Sequence, residues 1–343
     1  MSRVETAARV TLSDVAARAG VSEKSVSRVV NNEPHVSEKL RNRVQEAISE
    51  LNYVPDHAAR SLAGTRSYTI SIVLSSQGAP YAIKLIEGAY EACREAQYHL
   101  QIEDVDSTQP TAVLISQFEQ ILLNGRVDGM ILSPPCSDNP AIMDLLETRG
   151  VPYSRISPFL DISRAPRVYI DEEKAAADIA DMFLEMGHRH IGMVTGLMEH
   201  GSAVARRKGF IERIARAAPD IAVQEASGNY RFLESIDAGR TLLEGENRPT
   251  AIFAANDVSA AGVMSACAQL GLSVPADVSI CGFDDSWMAQ SVWPFLTTMY
   301  QPIAEMASRA AKLLIHSNSM DPGEGEVLLG HRLVMRDSMR QLG

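Results

Sequence analysis

Apolar residues in the N-terminal part of the chain recur at helical spacing in three short runs. In the first run they share one helical face, as Leu12, Val15, Ala16 and Ala19. Thr11 and Asp14 can form a capping box at the start of this run, and Gly20 follows it. The second run begins after Ser22 and the third at Ser37. Three short helices with a glycine-containing turn between the first two predict a helix-turn-helix head.

Beyond Tyr68, short apolar runs alternate with stretches of helical periodicity, such as 257–270. Another helical stretch spaces its apolar residues as Ile83, Ile86, Tyr90 and Cys93. The predicted strands cover 69–74, 100–104, 127–132, 152–156, 168–170, 191–194, 251–254 and 278–283. This alternation predicts parallel sheets with helices on both faces. Because the strands are too many for one sheet of usual size, we expect two lobes with a ligand cleft between their carboxyl ends.

The formal net charge of −11 is opposite in sign to that expected of a nucleic-acid-binding protein, but the charges are unevenly distributed. The first 66 residues hold ten Lys and Arg and eight Asp and Glu. The remaining residues hold 22 Lys and Arg and 35 Asp and Glu. A mildly basic head is therefore joined to an acidic body. The scattered cysteines form no CxxC pair, and no signal-peptide run or bilayer-spanning stretch is visible. These features predict a cytoplasmic protein with reduced thiols and no membrane contact.

The second helix of the head carries the side chains best suited to DNA. In a helix-turn-helix unit this helix enters the major groove with its N-terminal residues leading, which favours Lys24 and Arg28 as readers of base edges. An arginine can bind O6 and N7 of guanine together. Glu23 fits two roles, accepting from a cytosine amino group or repelling phosphate. A three-helix bundle with merely solvated charges fits the same pattern, so spacing alone leaves both interpretations open.

Other groupings of chemically active residues fail as sites. His188, His190 and His200 lie close in sequence but lack the context of a metal site. Asp284 and Asp285 are adjacent at a strand end and point apart, which argues against a catalytic pair. The sequence contains neither a GxSxG elbow nor a phosphate-binding GxxxxGK[ST] loop. We therefore expect no enzymatic activity, no metal and no cofactor.

The tract TLSDVAARAGVSEKSVSRVVNNEPHVSEKLRNRVQEAISELNYVPDHAARSLAG resembles the head of the lactose-repressor (LacI/GalR) family of bacterial regulators. The resemblance implies that Glu23, Lys24 and Arg28 read bases and that the Glu23–Lys24 pair sets operator preference. It also implies phosphate contacts at Thr11, Ser22, Ser25 and Asn31.

The segment after Pro55 is expected to link head and body. Proline restricts the residue before it, so the third helix should end at 53–55. The helix-capable stretch 56–63 is marginal alone because it has only about two turns. It fits an ordinary linker, whereas the resemblance implies a hinge helix that folds when two copies pair on DNA. Leu62 would then wedge into the minor groove and Ala59 would permit close approach. The expected domains are 1–54 (head), 55–67 (hinge and linker) and 68–343 (effector binding and dimerisation).

The body resembles the family's periplasmic-binding-protein-like effector domain through five segments, VDGMILSPP, MGHRHIGMVTG, RPTAIFAANDVSAAG, LGLSVPADVSICGFDD and LTTMYQPI. The implied fold class is an N-terminal all-α helix-turn-helix domain plus an α/β domain of two doubly wound lobes joined by three crossovers. By position, the resemblance implies a cleft lined by Gln77, Tyr81, Ser133, Ser157, Arg206, Tyr230, Asn256 and Asp284. These residue types suit a polyhydroxylated ligand. Ser133 and Ser157 replace longer polar side chains that are common in the family, which leaves the exact ligand open.

Together these features predict a sequence-specific DNA-binding repressor whose operator, a pseudo-palindrome, is released or bound under the control of a small molecule. A sugar is the expected effector, and a purine-type co-repressor is the alternative. A secreted sugar-binding protein would share the body but not the head. The family's tetramer-forming C-terminal helix has no counterpart in the final HRLVMRDSMRQLG, so we expect a homodimer.

Overall fold

A computed structural model describes residues 10–30, 36–53, 66–75, 79–245, 247–316 and 325–342. The chain divides into two compact units, Met1–Ser67 and Tyr68–Gly343. The first holds the helix-turn-helix head, and the second holds two α/β lobes.

The head consists of α1 (Leu12–Ala19), α2 (Glu23–Val30) and α3 (Glu38–Leu51). The predicted capping box of Thr11 and Asp14 is confirmed, and Ser37 caps α3 by accepting from the Leu40 amide. Gly20 ends α1 in the left-handed region at φ 59°, a conformation that favours glycine. The apolar faces meet at the fully buried Val15, Val26 and Val44. The helical periodicity of the sequence therefore gives the observed core.

The end of α3 differs from the sequence-based prediction. The helix stops at Leu51 because Asn52 adopts a left-handed conformation, φ 49°, and its amide bonds the Ile48 and Ser49 carbonyls. Arg43 of α3 fixes the turn between α1 and α2: its Nε donates to the Ala19 carbonyl at 2.7 Å and its Nη2 to the Gly20 carbonyl at 2.6 Å. The turn is thus held by a side chain from a distant helix as well as by its own glycine.

The first lobe of the second unit is a parallel six-stranded sheet in the order β11-β5-β4-β3-β1-β2. Its strands are β1 (Thr69–Leu74), β2 (His99–Asp104), β3 (Gly129–Leu132), β4 (Tyr153–Ile156), β5 (Arg167–Ile170) and β11 (Glu326–Leu329). Helices α4 (Ala79–Glu95) and α11 (Ile303–Ile315) pack on one face. Helices α5 (Thr111–Asn124) and α6 (Pro140–Thr148) cover the other.

The second lobe is a six-stranded sheet in the order β12-β10-β9-β8-β6-β7, parallel except for the β10–β12 pair. Its strands are β6 (Ile191–Thr195), β7 (Gln224–Ser227), β8 (Ala251–Ala254), β9 (Ser279–Asp284), β10 (Thr297–Tyr300) and β12 (Arg332–Val334). Helices α7 (Glu172–Glu185) and α8 (Gly201–Ala217) pack on one face. Helices α9 (Phe232–Leu243) and α10 (Asp257–Gln269) pack on the other. The predicted two-lobed α/β architecture is confirmed.

The chain passes between the lobes three times, between β5 and α7, between β10 and α11, and between β11 and β12. The eight predicted strands are present with shifts of one or two residues at some ends. Four further strands, β7, β10, β11 and β12, escaped prediction. Three of them lie at sheet edges, where one face is exposed and no continuous apolar run is needed. In β10 the polar Thr297 and Thr298 are nevertheless fully buried.

The Arg43 contacts generate a prediction about the head. Arg43→Met should lower its free energy of unfolding by roughly 1–2 kcal/mol, because two charge-assisted hydrogen bonds to the α1–α2 turn are lost. Hydrogen exchange of the α1 and α2 amides measures this. Lys39→Met is the matched control, since Lys39 is exposed on the same helix. Equal exchange rates in the two variants would contradict a stabilising role for Arg43.

Candidate functional site

A cavity of about 280 Å³ lies where the carboxyl ends of the two sheets face each other. Four of the lining residues lie one or two positions beyond parallel strands: Ser75 follows β1, Ser157 follows β4, Glu172 follows β5 and Asn256 follows β8. Open α/β sheets bind ligands at this edge because the loops there diverge and leave a crevice. The topology therefore places polar side chains of both lobes around one enclosed space.

Arg206 of α8 lies at the charged end of the cavity and is only 4% exposed. Its Nε donates to Oε2 of Glu172 at 2.8 Å and its Nη2 to Oε1 at 3.3 Å. Its Nη1 donates to the Ala255 carbonyl at 2.7 Å and lies 3.9 Å from Oδ1 of Asp284. The guanidinium also stacks 3.6 Å above the Phe283 ring centroid. Acceptors and an aromatic face therefore compensate this buried cation on several sides.

Two buried carboxyl groups sit at the end of β9. Asp284 accepts a 2.6 Å hydrogen bond from Nε2 of Gln301, which lies in the second crossover. Asp257, at the start of α10, accepts from the Thr298 hydroxyl at 2.5 Å and from the amide and hydroxyl of Ser286 at 2.7 and 2.9 Å. Asp257 thereby fixes the turn that presents Asp284 to the cavity.

Burial dominates the ionisation of this cluster. It raises the pKa of both Asp257 and Asp284, and the charge of Asp284 raises the pKa of Asp257 further. Burial by itself would lower the pKa of Arg206, but Glu172, Tyr230 and Asp284 raise it above its ordinary value. The guanidinium is therefore permanently charged, whereas the two aspartates hold protons more readily than exposed carboxyl groups.

Three aromatic side chains, His200, Tyr230 and Phe232, line the cavity beside its charged end and form an aromatic wall. The Tyr230 ring lies over Gly196, where an added Cβ would come within 2.2 Å of the ring, so only glycine leaves room for it. The His200 ring centroid is 5.8 Å from that of Tyr230, and burial lowers the pKa of His200. Phe232 also lines the cavity. The wall can pack against an apolar ligand face.

The first lobe contributes mainly hydroxyl groups. Ser75 and Ser107 bond each other, and Thr108 lies beside them in the lining. The Ser157 hydroxyl is buried and has no hydrogen-bond partner among the residues that the structure describes. Buried polar atoms without partners are costly, so this hydroxyl is suited to a ligand. Arg155 holds the following loop by donating to the carbonyls of Leu160 and Asp161.

The structure brings together six of the effector residues implied by the family resemblance: Tyr81, Ser157, Arg206, Tyr230, Asn256 and Asp284. Ser133 is not among the lining residues. It is fully buried, and its hydroxyl donates to the Val73 carbonyl at 2.7 Å, so it joins β3 to β1 instead. Gln77 lies outside the described residues.

Several lining residues escaped the sequence analysis, among them Ser75, Ser107, Glu172, His200 and Ser202. Ser75 and Glu172 lie one and two positions beyond a strand, and this signal could have identified them. Four lining residues have positive φ: Ser157 (44°), Asn229 (50°), Tyr230 (62°) and Asp284 (114°). Such backbone strain concentrates at binding sites.

The predicted DNA face of the head lies on α2. Glu23 and Lys24 are exposed in its first turn, Arg28 follows one turn later, and Val26 and Val29 are buried on the opposite side. Ser22 accepts from the Ser25 amide and caps α2, while Thr11 caps α1, so both lie at helix N-termini where phosphate binds well. Asn31, Ala59 and Leu62 lie outside the described residues.

Neither a membrane span nor a metal site is found within the described ranges. No helix there is long and apolar enough to cross a bilayer. No group of three or more His, Cys, Asp or Glu there could hold a metal ion. His188, one of the clustered histidines, is buried and contacts the Thr250 hydroxyl and the Arg340 carbonyl.

Two family models match the chain. The model described as bacterial regulatory proteins, lacI family, matches residues 11–56. The model described as a periplasmic binding protein-like domain matches residues 180–339.

Individual proteins match over most of their length. The ribose operon repressor of Escherichia coli (strain K12) is 33% identical over 89% of this chain and 92% of its own. The lac repressor dimer bound to operator and an anti-inducer is similar in structure, with a TM-score of 0.77 and 27% identity over 97% of this chain and 99% of its own. The complex of the regulator CelR with cellobiose gives a TM-score of 0.69 and 28% identity over 96% of this chain and all of its own.

The buried aspartates generate a prediction of pH dependence. Since burial raises the pKa of Asp257 from 3.8, the folded protein binds this proton more tightly than the unfolded chain does. The free energy of unfolding should therefore fall as pH rises from about 4 toward the raised pKa, by up to roughly 1.4 kcal/mol per pH unit. Urea unfolding over this range measures the effect.

Asp257→Asn is the comparison, because the amide oxygen can still accept from Ser286 and its NH₂ can donate to Thr298. Its free energy of unfolding should fall less steeply with pH, because only the raised pKa of Asp284 still contributes. A constant difference between the two proteins across pH would contradict the raised pKa of Asp257.

Proposed function

This chain belongs to the lacI family of bacterial regulatory proteins, and on that premise we propose that it is a transcriptional repressor controlled by a sugar. The helix-turn-helix head binds a pseudo-palindromic operator, and the sugar occupies the cavity between the lobes. The observation that carries the proposal is the buried cluster of Arg206, Glu172 and Asp284, which faces the cavity beside the Tyr230 ring and the unpartnered Ser157 hydroxyl.

The chemistry of the lining favours a polyhydroxylated ligand. A carboxylate accepts from hydroxyl groups while a guanidinium donates to them, and an aromatic ring packs on the apolar face of a sugar. A volume of about 280 Å³ is near the lower end for small-molecule sites, which favours a compact ligand. The CelR–cellobiose complex and the name of the ribose operon repressor support a carbohydrate.

In the head, Lys24 and Arg28 contact base edges, with Glu23 beside them. The residues assigned to phosphate contacts are Thr11, Ser22, Ser25 and Asn31. Leu62 enters the minor groove, and Ala59 permits its close approach, from a hinge helix that folds on DNA.

The working form is a homodimer, which matches a two-fold operator. Large apolar side chains on the second unit are exposed, including Tyr90 (57%) on α4 and Trp293 (77%) before β10. Ile83 is also exposed and lies two helical turns before Tyr90 on α4, whereas Cys93 is buried. An exposed apolar helix face of this kind is suited to an interface.

Regulation requires that sugar and operator favour different arrangements of the lobes. A coupling free energy on the order of 1–3 kcal/mol changes operator affinity roughly 5–150-fold, and operator changes sugar affinity by the same factor. A gel shift of genomic fragments, repeated with sugars and with purines, tests the proposal. Release by a sugar supports it, whereas a purine requirement for binding identifies the co-repressor alternative. Absence of any specific fragment contradicts the proposal.

Base reading gives the first functional prediction. Arg28→Ala should weaken binding to a selected operator by roughly 1–3 kcal/mol and relax specificity at one base position in each half-site. Lys39→Ala removes one exposed positive charge outside α2 and controls for loss of charge alone. Fluorescence anisotropy on operator variants measures both. Wild-type selectivity in Arg28→Ala would contradict the assignment of α2 to the major groove.

The buried hydroxyl of Ser157 gives the second functional prediction. Ser157→Ala should leave the free energy of unfolding unchanged or higher, because a buried unsatisfied group is removed, yet it should weaken binding of the releasing sugar. Ser71→Ala is the matched control: its hydroxyl is also buried and has no hydrogen-bond partner in the described part of the chain, but it lies within β1 away from the lining. Calorimetric titration and thermal unfolding separate the effects. Equal sugar affinity in the two variants would exclude Ser157 from the site.

A further inference from the structure

Glu172 holds an unusual position in the cavity. It is the first residue of α7, immediately after the first crossover, and it is only 9% exposed although it carries a carboxylate. Both of its oxygens accept from the Arg206 guanidinium, at 2.8 and 3.3 Å. The paired fork of the guanidinium that best fits a carboxylate or phosphate is therefore already occupied by the protein.

The charges around the cavity also disfavour an anionic ligand. Glu172 and Asp284 are both buried in the lining with Arg206 as their shared cation, so this cluster carries one more carboxylate than guanidinium groups. Arg231 also lines the cavity, but its side chain is 64% exposed and pairs with Glu234. Lys84 donates to the Asp285 carbonyl, and its charge partly opposes the burial that raises the pKa of Asp284; Arg336 pairs with the Asp285 carboxylate, and neither cation is in the lining. An anion entering the charged end would meet two carboxylates that solvent does not screen.

We propose that Glu172 determines the charge specificity of the cavity: by occupying Arg206 it restricts the site to uncharged polyhydroxylated ligands and excludes sugar acids and sugar phosphates. This inference rests on the proposed function, whose ligand class it narrows. Glu172 acts here by competition, since it holds the donors that an anionic ligand would use.

A purely structural role for Glu172 would change stability without changing selectivity. Glu172→Gln separates the two roles because it keeps the shape and an accepting oxygen but removes the charge. Glu173→Gln is the matched control: Glu173 is the next residue, its side chain is 41% exposed, and it pairs with Lys208 at 2.9 Å. It removes the same charge from the same helix without touching the lining. Glu172→Ser is a second variant, in case the first does not fold.

The experiment titrates the full-length proteins with glucose, glucuronate, glucose 6-phosphate, ribose and ribose 5-phosphate, and separately with sulfate. Thermal shift and calorimetry give the affinities. In the unmodified protein and in Glu173→Gln, the anionic sugars should bind more weakly than their neutral counterparts, and sulfate should not stabilise the fold specifically. In Glu172→Gln the affinity for sulfate and for the anionic sugars should rise by about tenfold or more, because one of two repelling carboxylates is gone.

Two results would overturn the inference. One is tighter binding of glucuronate or a sugar phosphate than of its neutral counterpart by the unmodified protein. The other is a folded Glu172 variant whose response to sulfate equals that of Glu173→Gln. If no sugar binds, neutral or anionic, the result contradicts the proposed function instead. The comparison of sulfate binding by the Glu172 variants and by Glu173→Gln would still test whether Glu172 excludes anions.

Discussion

The second unit is organised around one buried cation. A guanidinium that is almost wholly removed from water must be compensated by nearby acceptors, or its desolvation would destabilise the fold. Arg206 receives that compensation from Glu172 after β5, from the Ala255 carbonyl after β8 and from Asp284 at the end of β9. A single side chain therefore holds together the ends of β8 and β9 in the second lobe and the chain that leaves β5 of the first lobe.

Local chemistry made the head predictable. Capping, helical spacing and the left-handed glycine are decided by residues within a few positions of each other, and α1, α2 and α3 formed where the sequence indicated. The contribution of Arg43 was not predictable in this way, because its acceptors lie 23 and 24 residues away in sequence. The end of α3 was misplaced for a related reason. Pro55 gave a strong local signal, but Asn52 had already ended the helix.

The cavity was predictable in part, and the pattern of success has a physical cause. The family resemblance implied Arg206, Asn256 and Asp284 by their positions in the chain, and all three line the cavity. Ser133 follows β3 equally well, yet its hydroxyl turns to the Val73 carbonyl. Glu172 was missed because a glutamate at the start of a helix is usually a solvated residue, favoured by the helix dipole. Only the tertiary contact with Arg206 distinguishes it from its exposed neighbour Glu173.

The same cluster also touches the segments that join the lobes. Glu172 follows the first crossover, and Gln301, which donates to Asp284, lies in the second. The other polar atom of the Gln301 side chain, Oε1, is buried and has no hydrogen-bond partner within the described ranges, so this side chain is only partly satisfied there. A ligand that takes a hydrogen bond from Arg206 or gives one to Asp284 changes the balance of contacts on both residues. Because the backbone at those points connects the lobes, such a change bears directly on their relative position. The same few atoms therefore contact the ligand and connect the lobes. A ligand can shift the equilibrium between two lobe arrangements only through contacts that differ between them, and these atoms can provide such contacts.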